Sequence, residues 1–143
     1  MPDRYLCYLY AANPLLKIST LKKCKKLIIK SKNAKVITIG KYPQPIQHAF
    51  KKNNLSSDVY FREKQNKNKR TQDLSVYYHD AAQCYWFDLR KIRNIKSLNV
   101  STGAVLLKNN EYLDVDTHED LANLKNIYKY NLHKLWLSNN NLS

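Results

Sequence analysis

Two aspartates separated by one residue, Asp114-Val115-Asp116, have types and spacing that could hold a metal. In an extended segment residues i and i+2 point to the same side. Two carboxylates so placed can share one hard cation, and Mg²⁺ takes oxygen ligands of this kind together with substrate phosphates. The plainer alternative is that Asp116 and Thr117 cap a following helix. A second group runs from Arg70 to Asp88, R-T-Q-D-L-S-V-Y-Y-H-D-A-A-Q-C-Y-W-F-D. An arginine, a histidine, two glutamines, acids and five aromatics share these nineteen residues. A core strand does not need that many polar groups, and a plain loop does not need that many aromatics. The mixture suits a pocket wall with an apolar body and a few placed donors.

The elements that must position these groups follow from periodicity. Tyr5 to Tyr10, Y-L-C-Y-L-Y, reads as a strand apolar on both faces, as in a sheet covered on both sides. Asn13-Pro14 ends it, because the residue before proline is pushed away from helix. Ser19 or Thr20 caps a helix to about Lys30, with Leu21, Cys24, Leu27 and Ile28 on one face and lysines on the other. A solvated lysine face is the plainer reading of that pattern and a phosphate-binding patch the sharper one. Val36 to Ile39 is a second buried strand, so strand, helix, strand predicts a right-handed crossover and a parallel sheet. Tyr42 to Gln47, with two prolines, predicts an extended rim loop. Asn53 to Asp58 predicts a turn, Val59 to Phe61 a short strand, and Lys64 to Arg70 a mobile polar loop. Leu89 to Ile95 predicts a short helix and Thr102 to Leu107 another strand. Thr117 is a good N-cap, with Glu119 and Asp120 suited to the helix dipole. The last helix carries Leu121, Leu124, Ile127, Tyr128, Leu132 and Leu135 to about Trp136, and residues 138–143 are a frayed tail.

At 143 residues, 43% of them apolar, the chain has the size of one domain able to bury a core. No apolar run is long enough to span a bilayer and no signal-peptide pattern opens the chain, which predicts a cytoplasmic protein without a membrane partner. Cys7, Cys24 and Cys84 form no C-x-x-C pair, so neither a zinc site nor a disulfide framework is indicated, and Cys7 and Cys84 read as buried small hydrophobes. The net charge is +14, and twenty of the 25 basic residues are lysine. Such a surface attracts polyanions, acidic sugars and phosphates, although an AT-rich codon bias produces the same composition. A small nucleic-acid-binding module is the alternative class. It lacks support because no RNP, KH, zinc-finger or helix-turn-helix pattern occurs.

Y-H-D-A-A-Q-C-Y-W-F, followed some thirty residues later by D-V-D-T-H-E-D-L, resembles the acylneuraminate cytidylyltransferases. Within them it is most similar to the branch that makes CMP-pseudaminic acid, whose pattern reads roughly R-S-Q-D-L, Y-H-D-A-G-Q-F-Y-W and D-I-D-T-x-E-D. Leu9 to Leu15 resembles that family's Y-x-T-A-P-F strand end, and Tyr42 to Ala49 its Y-P-x-P-I-Q-R-A segment. The resemblance implies a Rossmann-like nucleotide-diphospho-sugar transferase fold, α/β, with a mostly parallel sheet flanked by helices. It implies transfer of a cytidylyl group from CTP to a nonulosonic acid with release of pyrophosphate, helped by Mg²⁺. By resemblance Asp114 and Asp116 are the catalytic metal ligands. Arg70 faces the sugar carboxylate, which a guanidinium grips through two parallel hydrogen bonds. Gln72, His79, Asp80, Gln83 and Tyr85 line the sugar pocket. His79-Asp80 also reads as a local turn pair, and Tyr85 and Trp86 also as core.

The departures from the pattern carry their own expectations. The family begins with a strand and a Gly-rich basic loop, A-R-x-G-S-K, that wraps the CTP phosphates, whereas the only glycines here are Gly40 and Gly103. The whole chain, 1–143, is therefore expected to correspond to the C-terminal portion of one cytidylyltransferase domain, lacking the N-terminal strands and inactive alone, with a non-catalytic remnant of the synthetase as a further alternative. A complementing N-terminal half becomes the expected partner. A homodimer joined through the Pro43 to Arg70 region is also implied by the resemblance. Ala12 stands where the family usually has Thr. Ala82 stands where it has Gly, which would let the methyl narrow the pocket. Cys84 replaces an aromatic.

Overall fold

The computed structural model describes residues 4–11, 13–93 and 100–140, with 135–140 described as backbone only. Ala12, residues 94 and 95 of the expected short helix, and the last three tail residues lie outside that set. In chain order the elements are β1 (Tyr5–Leu9), α1 (Ile18–Lys30), β2 (Lys35–Lys41), β3 (Phe50–Lys52), β4 (Val59–Phe61), β5 (Tyr78–Asp88), α2 (Leu89–Ile92), β6 (Thr102–Leu106) and α3 (His118–Asn140). Two compact units divide the chain: Met1–Gly40 with Asp80–Ser143, and Lys41–His79.

The larger unit is built on a sheet of order β1-β5-β2-β6. β1 runs antiparallel to β5, with Tyr5 opposite Asp88 and Leu9 opposite Cys84. β2 runs parallel to β6, with Val36 opposite Gly103 and Ile39 opposite Leu106. The fold is α/β as expected, but the sheet is mixed, not mostly parallel. β5 sits between β1 and β2, so the strands joined through α1 are not neighbours. An apolar run marks burial without marking strand direction, which is why periodicity misjudges the sheet.

α1 packs on one face of this sheet because its apolar residues recur at helical spacing. Cys24 and Ile28 meet Val36 and Cys84 in a fully buried cluster, flanked by Tyr5, Cys7, Leu21, Leu27, Trp86 and Val105. Cys24 and Cys84 have sulfurs 3.8 Å apart, and Cys7 is only half-buried, a correction to its expected burial. The helix starts at Ile18, earlier than the Ser19 or Thr20 cap predicted. Thr20 is buried within the first turn, and Lys17 takes the N-cap position with no side-chain bond.

The opposite sheet face is less covered than the one under α1. Register groups Leu6 with Phe87, Tyr8 with Tyr85, Ile37 with Ala104 and Ile39 with Leu106 on that side. Leu6, Tyr8 and Leu106 are 49%, 53% and 57% exposed. The two-sided burial expected of β1 is therefore met on one side only. α3 reaches Asn140, beyond the predicted end near Trp136. Its Leu121, Tyr128 and Leu132 remain exposed, and Asn131 meets Asn110 through long side-chain bonds of 3.4 Å.

Strand β5 corrects the first impression of its own sequence. Tyr78–Asp88 is a strand inside the sheet despite its polar content. It tolerates that content in part because its buried Asp88 carboxylate and Gln83 amide N–H have partners. Asp88 is fully buried and accepts from Arg4 Nη2 at 2.7 Å, from Arg4 Nε at 3.2 Å and from the Arg90 backbone N–H at 3.2 Å. The Arg4 guanidinium therefore holds the Asp88 carboxyl below the usual carboxylate range.

The smaller unit contains the β3–β4 hairpin, with Phe50 opposite Phe61 and their rings 4.3 Å apart. β3 escapes sequence reading because Phe50-Lys51-Lys52 holds a single apolar residue and so neither an apolar run nor an alternation. Buried Gln47 donates to the Ser75 carbonyl at 2.8 Å. Lys64–Arg70, predicted as a plain loop, includes a 3-10 turn at Lys64–Asn66. There Asn66 is buried, donates to Glu63 at 2.7 Å, and its carbonyl lies 3.2 Å from His48 Nε2.

Candidate functional site

β5 positions Asp80, Gln83 and Tyr85 within the larger unit. Asp80 Oδ1 accepts from the Ala82 N–H at 2.9 Å, and its Oδ2 accepts from the Tyr85 hydroxyl at 2.8 Å. That first bond closes a local turn over Ala82, which has φ 50 and is the one non-glycine residue with positive φ among the described residues. An L side chain is disfavoured there. A glycine at this position would adopt the same backbone conformation without that cost. Tyr85 shares a cluster with Tyr8 at 6.0 Å and Tyr10 at 5.8 Å between ring centroids. Burial, and then the Asp80 carboxylate, push the Tyr85 hydroxyl well above the ordinary tyrosine range, so it stays a proton donor. Trp86 packs on the core instead, which separates the two aromatics that sequence leaves undecided.

Gln83 is buried and joins β5 to the segment bearing the paired aspartates. Its Nε2 donates to the Glu111 carbonyl at 2.5 Å, and its backbone carbonyl accepts from Asn13 Nδ2 at 2.9 Å. Its Oε1 is buried with no hydrogen-bond partner. The same segment is fixed twice more. Glu111 accepts from Lys17 at 2.8 Å, which keeps its carboxyl low, and Tyr112 lies where a Cβ on Gly40 would sit. Asn13, Glu111 and Tyr112 are not singled out by sequence, since an amide, an acid and a tyrosine outside any motif carry no signal of contact.

Asp114 and Asp116 follow that anchor and are both exposed. Helix α3 is capped by Thr117 and Asp120, not by Asp116. Thr117 Oγ1 accepts from the Asp120 N–H at 3.1 Å, and Asp120 Oδ2 accepts from the Thr117 N–H at 2.9 Å. This reciprocal capping box uses the Asp116 backbone N–H at 3.3 Å but not its carboxylate. Two exposed carboxylates suit a cation that also takes phosphate oxygens, as Mg²⁺ does. Among the described residues no cluster of three or more acids, histidines or cysteines forms a complete protein cage.

The remaining expected residues belong to the smaller unit. Arg70 is 75% exposed at its side chain and pairs with Asp73 at 3.0 Å. Gln72 lies exposed in the 3-10 turn Thr71–Asp73. His79 packs against Tyr42 with ring centroids 5.0 Å apart and planes tilted by 59°. Asp80, Gln83 and Tyr85 are therefore brought together on one strand, with the Asp114 and Asp116 segment tied to them through Gln83.

The chain thus has an α/β fold in which a polar and aromatic strand is fastened to a paired-carboxylate segment. It is similar to the pseudaminic acid cytidylyltransferases of two Campylobacter jejuni subsp. jejuni strains, serotypes O:23/36 and O:2, each 30% identical over 128 residues. Those alignments cover 89% of this chain and 55% of each relative, so the chain spans about half the length of the curated relatives it matches. No protein-family model matches it. Among the described residues no helix is long and apolar enough to cross a membrane.

Proposed function

We propose that this chain supplies the sugar-facing and metal-binding part of a cytidylyltransferase that activates a nonulosonic acid, of the pseudaminic type, with CTP. The observation that carries the reading is the Gln83 amide bonded to the Glu111 carbonyl. It fastens the Y-H-D-A-A-Q strand to the segment leading into D-V-D, which supports a shared site for two motifs distant in sequence. In the proposed reaction the sugar's anomeric hydroxyl attacks the α-phosphate of CTP, a new P–O bond forms and pyrophosphate departs. Asp114 and Asp116 would hold Mg²⁺, which supplies charge neutralisation for the phosphates. Tyr85 and Asp80 orient sugar hydroxyls, Gln83 sets the strand against the aspartate segment, and Arg70 exchanges Asp73 for the sugar carboxylate. Gln72 and His79 complete the sugar contacts.

The relatives' remaining length is proposed to supply the phosphate-cradling loop, and the sheet face with exposed Leu6, Tyr8 and Leu106 is proposed as the surface on which further polypeptide packs. A homodimer through the β3–β4 hairpin, with exposed Phe50, Val59 and Tyr60, is proposed alongside. The test measures CMP-sugar formation from labelled CTP, pseudaminic acid and Mg²⁺. The chain alone is expected to turn over slowly or not at all. Addition of a polypeptide carrying the relatives' N-terminal portion restores activity, and Asp116→Asn abolishes it. Robust turnover by the isolated chain refutes the need for complementation, and full activity of Asp116→Asn refutes the metal assignment.

A further inference from the structure

The outer face of α1 has a composition that the proposed transferase chemistry does not use. From Ile18 to Lys30 the helix contains five lysines and no acid. Lys22, Lys23, Lys25, Lys26 and Lys30 are all exposed, and none has an ion-pair partner among the described residues. Two isoleucines lie among them, Ile18 at 72% and Ile29 at 50% exposure. Ile18, Lys22, Lys25 and Ile29 follow the i, i+4, i+7, i+11 spacing that forms one stripe along a helix. A shallow depression is lined by Lys22, Lys25, Lys26, Ile29 and Lys30. The helix is held flat on the sheet by Cys24 and Ile28, so this stripe is presented outward as a rigid line.

We infer that this α1 face is a docking surface for an anionic lipid bilayer, with the lysines paired to headgroups and the two isoleucines inserted between them. The charge fits any polyanion, but the isoleucines choose among them. A phosphate backbone offers them nothing, and the helix carries neither the arginines nor the aromatics that grip or stack on nucleic acid. A bilayer interface accepts an apolar side chain beside lysines whose stems lie along the acyl boundary. Such adsorption requires no spanning helix, so it is a different mode from the membrane contact that sequence length excludes. A single helix face without a lipid anchor gives reversible, salt-sensitive binding.

The experiment is co-sedimentation with vesicles of phosphatidylcholine alone or with about one-third phosphatidylglycerol. Binding is expected only to the anionic vesicles and is lost at high salt. Each lysine near an anionic surface contributes roughly a five-fold gain in affinity. A K22E/K25E/K26E variant is then expected to bind at least about 100-fold more weakly by the same reckoning. I18S/I29S is expected to weaken vesicle binding while leaving retention on a duplex DNA fragment unchanged. Every substituted residue is exposed, and far-UV circular dichroism confirms that the variants fold. Absence of vesicle binding overturns the proposal. So does vesicle binding that ignores the isoleucines, or DNA binding stronger than vesicle binding at the same salt, which would make the face a nucleic-acid surface.

Discussion

Replacing Ala82 with glycine removes the one positive-φ conformation held by a non-glycine residue among those described. A Cβ in the left-handed region costs about 1–2 kcal/mol. Glycine returns about 0.5–1 kcal/mol of that through the larger entropy of its unfolded chain. Ala82→Gly is therefore expected to stabilise the fold by about 0.5–1 kcal/mol. For a chain of this size the unfolding entropy near the midpoint is roughly 0.3 kcal/mol/K, so Tm rises by about 2–3 °C. Scanning calorimetry measures this directly, with urea unfolding as a second readout. The neighbouring Ala81 supplies the contrast, because it is buried and its φ is not positive. Ala81→Gly is expected to lower stability by about 0.5–1 kcal/mol. Opposite signs at adjacent alanines support the backbone account. A loss of stability in Ala82→Gly would show that the Asp80 turn needs a side chain at 82 and would refute the backbone account.

The buried Asp88 gives a pH signature. Arg4 holds its carboxyl low in the folded chain, so its contribution is complete above the unfolded value near 3.9 and is lost as pH falls toward the folded value. Asp88→Asn is expected to cost about 2 kcal/mol at neutral pH. The gap to the parent chain should close only below about pH 4 in urea titrations at stepped pH. Thr117→Ala removes the N-cap of α3 and is expected to cost about 1 kcal/mol of helix stability, read as lost ellipticity at 222 nm. Cys24 and Cys84 are buried, and the bond to the Cys24 sulfur together with burial pushes the Cys84 thiol up. Native chain should therefore be alkylated by iodoacetamide at Cys7 long before the other two, as peptide mapping will report.

Several elements are legible in the sequence because each has one dominant local cause. The α1 stripe of Leu21, Cys24, Leu27 and Ile28 matches the helical period, and those residues do meet the sheet. β2, β4 and β6 appear where short apolar runs end at turn residues. β5 defeats the same reading because polar residues count against a strand only when they lack partners, and the partners lie far off in sequence. Arg4 and Asp88 are separated by 84 residues, and Gln83 and Glu111 by 28. The end of α3 also runs past its predicted limit, since no glycine or proline stops it. At the candidate site the residue types are legible through their resemblance, but their arrangement is not. Sequence does not distinguish Asp116 from Asp120 as the acid that completes the helix cap, and it does not reveal the positive φ of Ala82.

The Gln83 latch has a thermodynamic consequence. A single buried amide couples the strand that carries Asp80 and Tyr85 to the segment that carries Asp114 and Asp116. Ordering either one restricts the other, so part of the entropy lost on the second binding event is already spent in the first. Coupling of this kind is reciprocal: under the proposed function, whatever factor a ligand on the strand adds to cation affinity at the aspartates, the cation would add to that ligand's affinity. Gln83→Met preserves the volume and cuts the tie, so the two affinities should become independent while each persists.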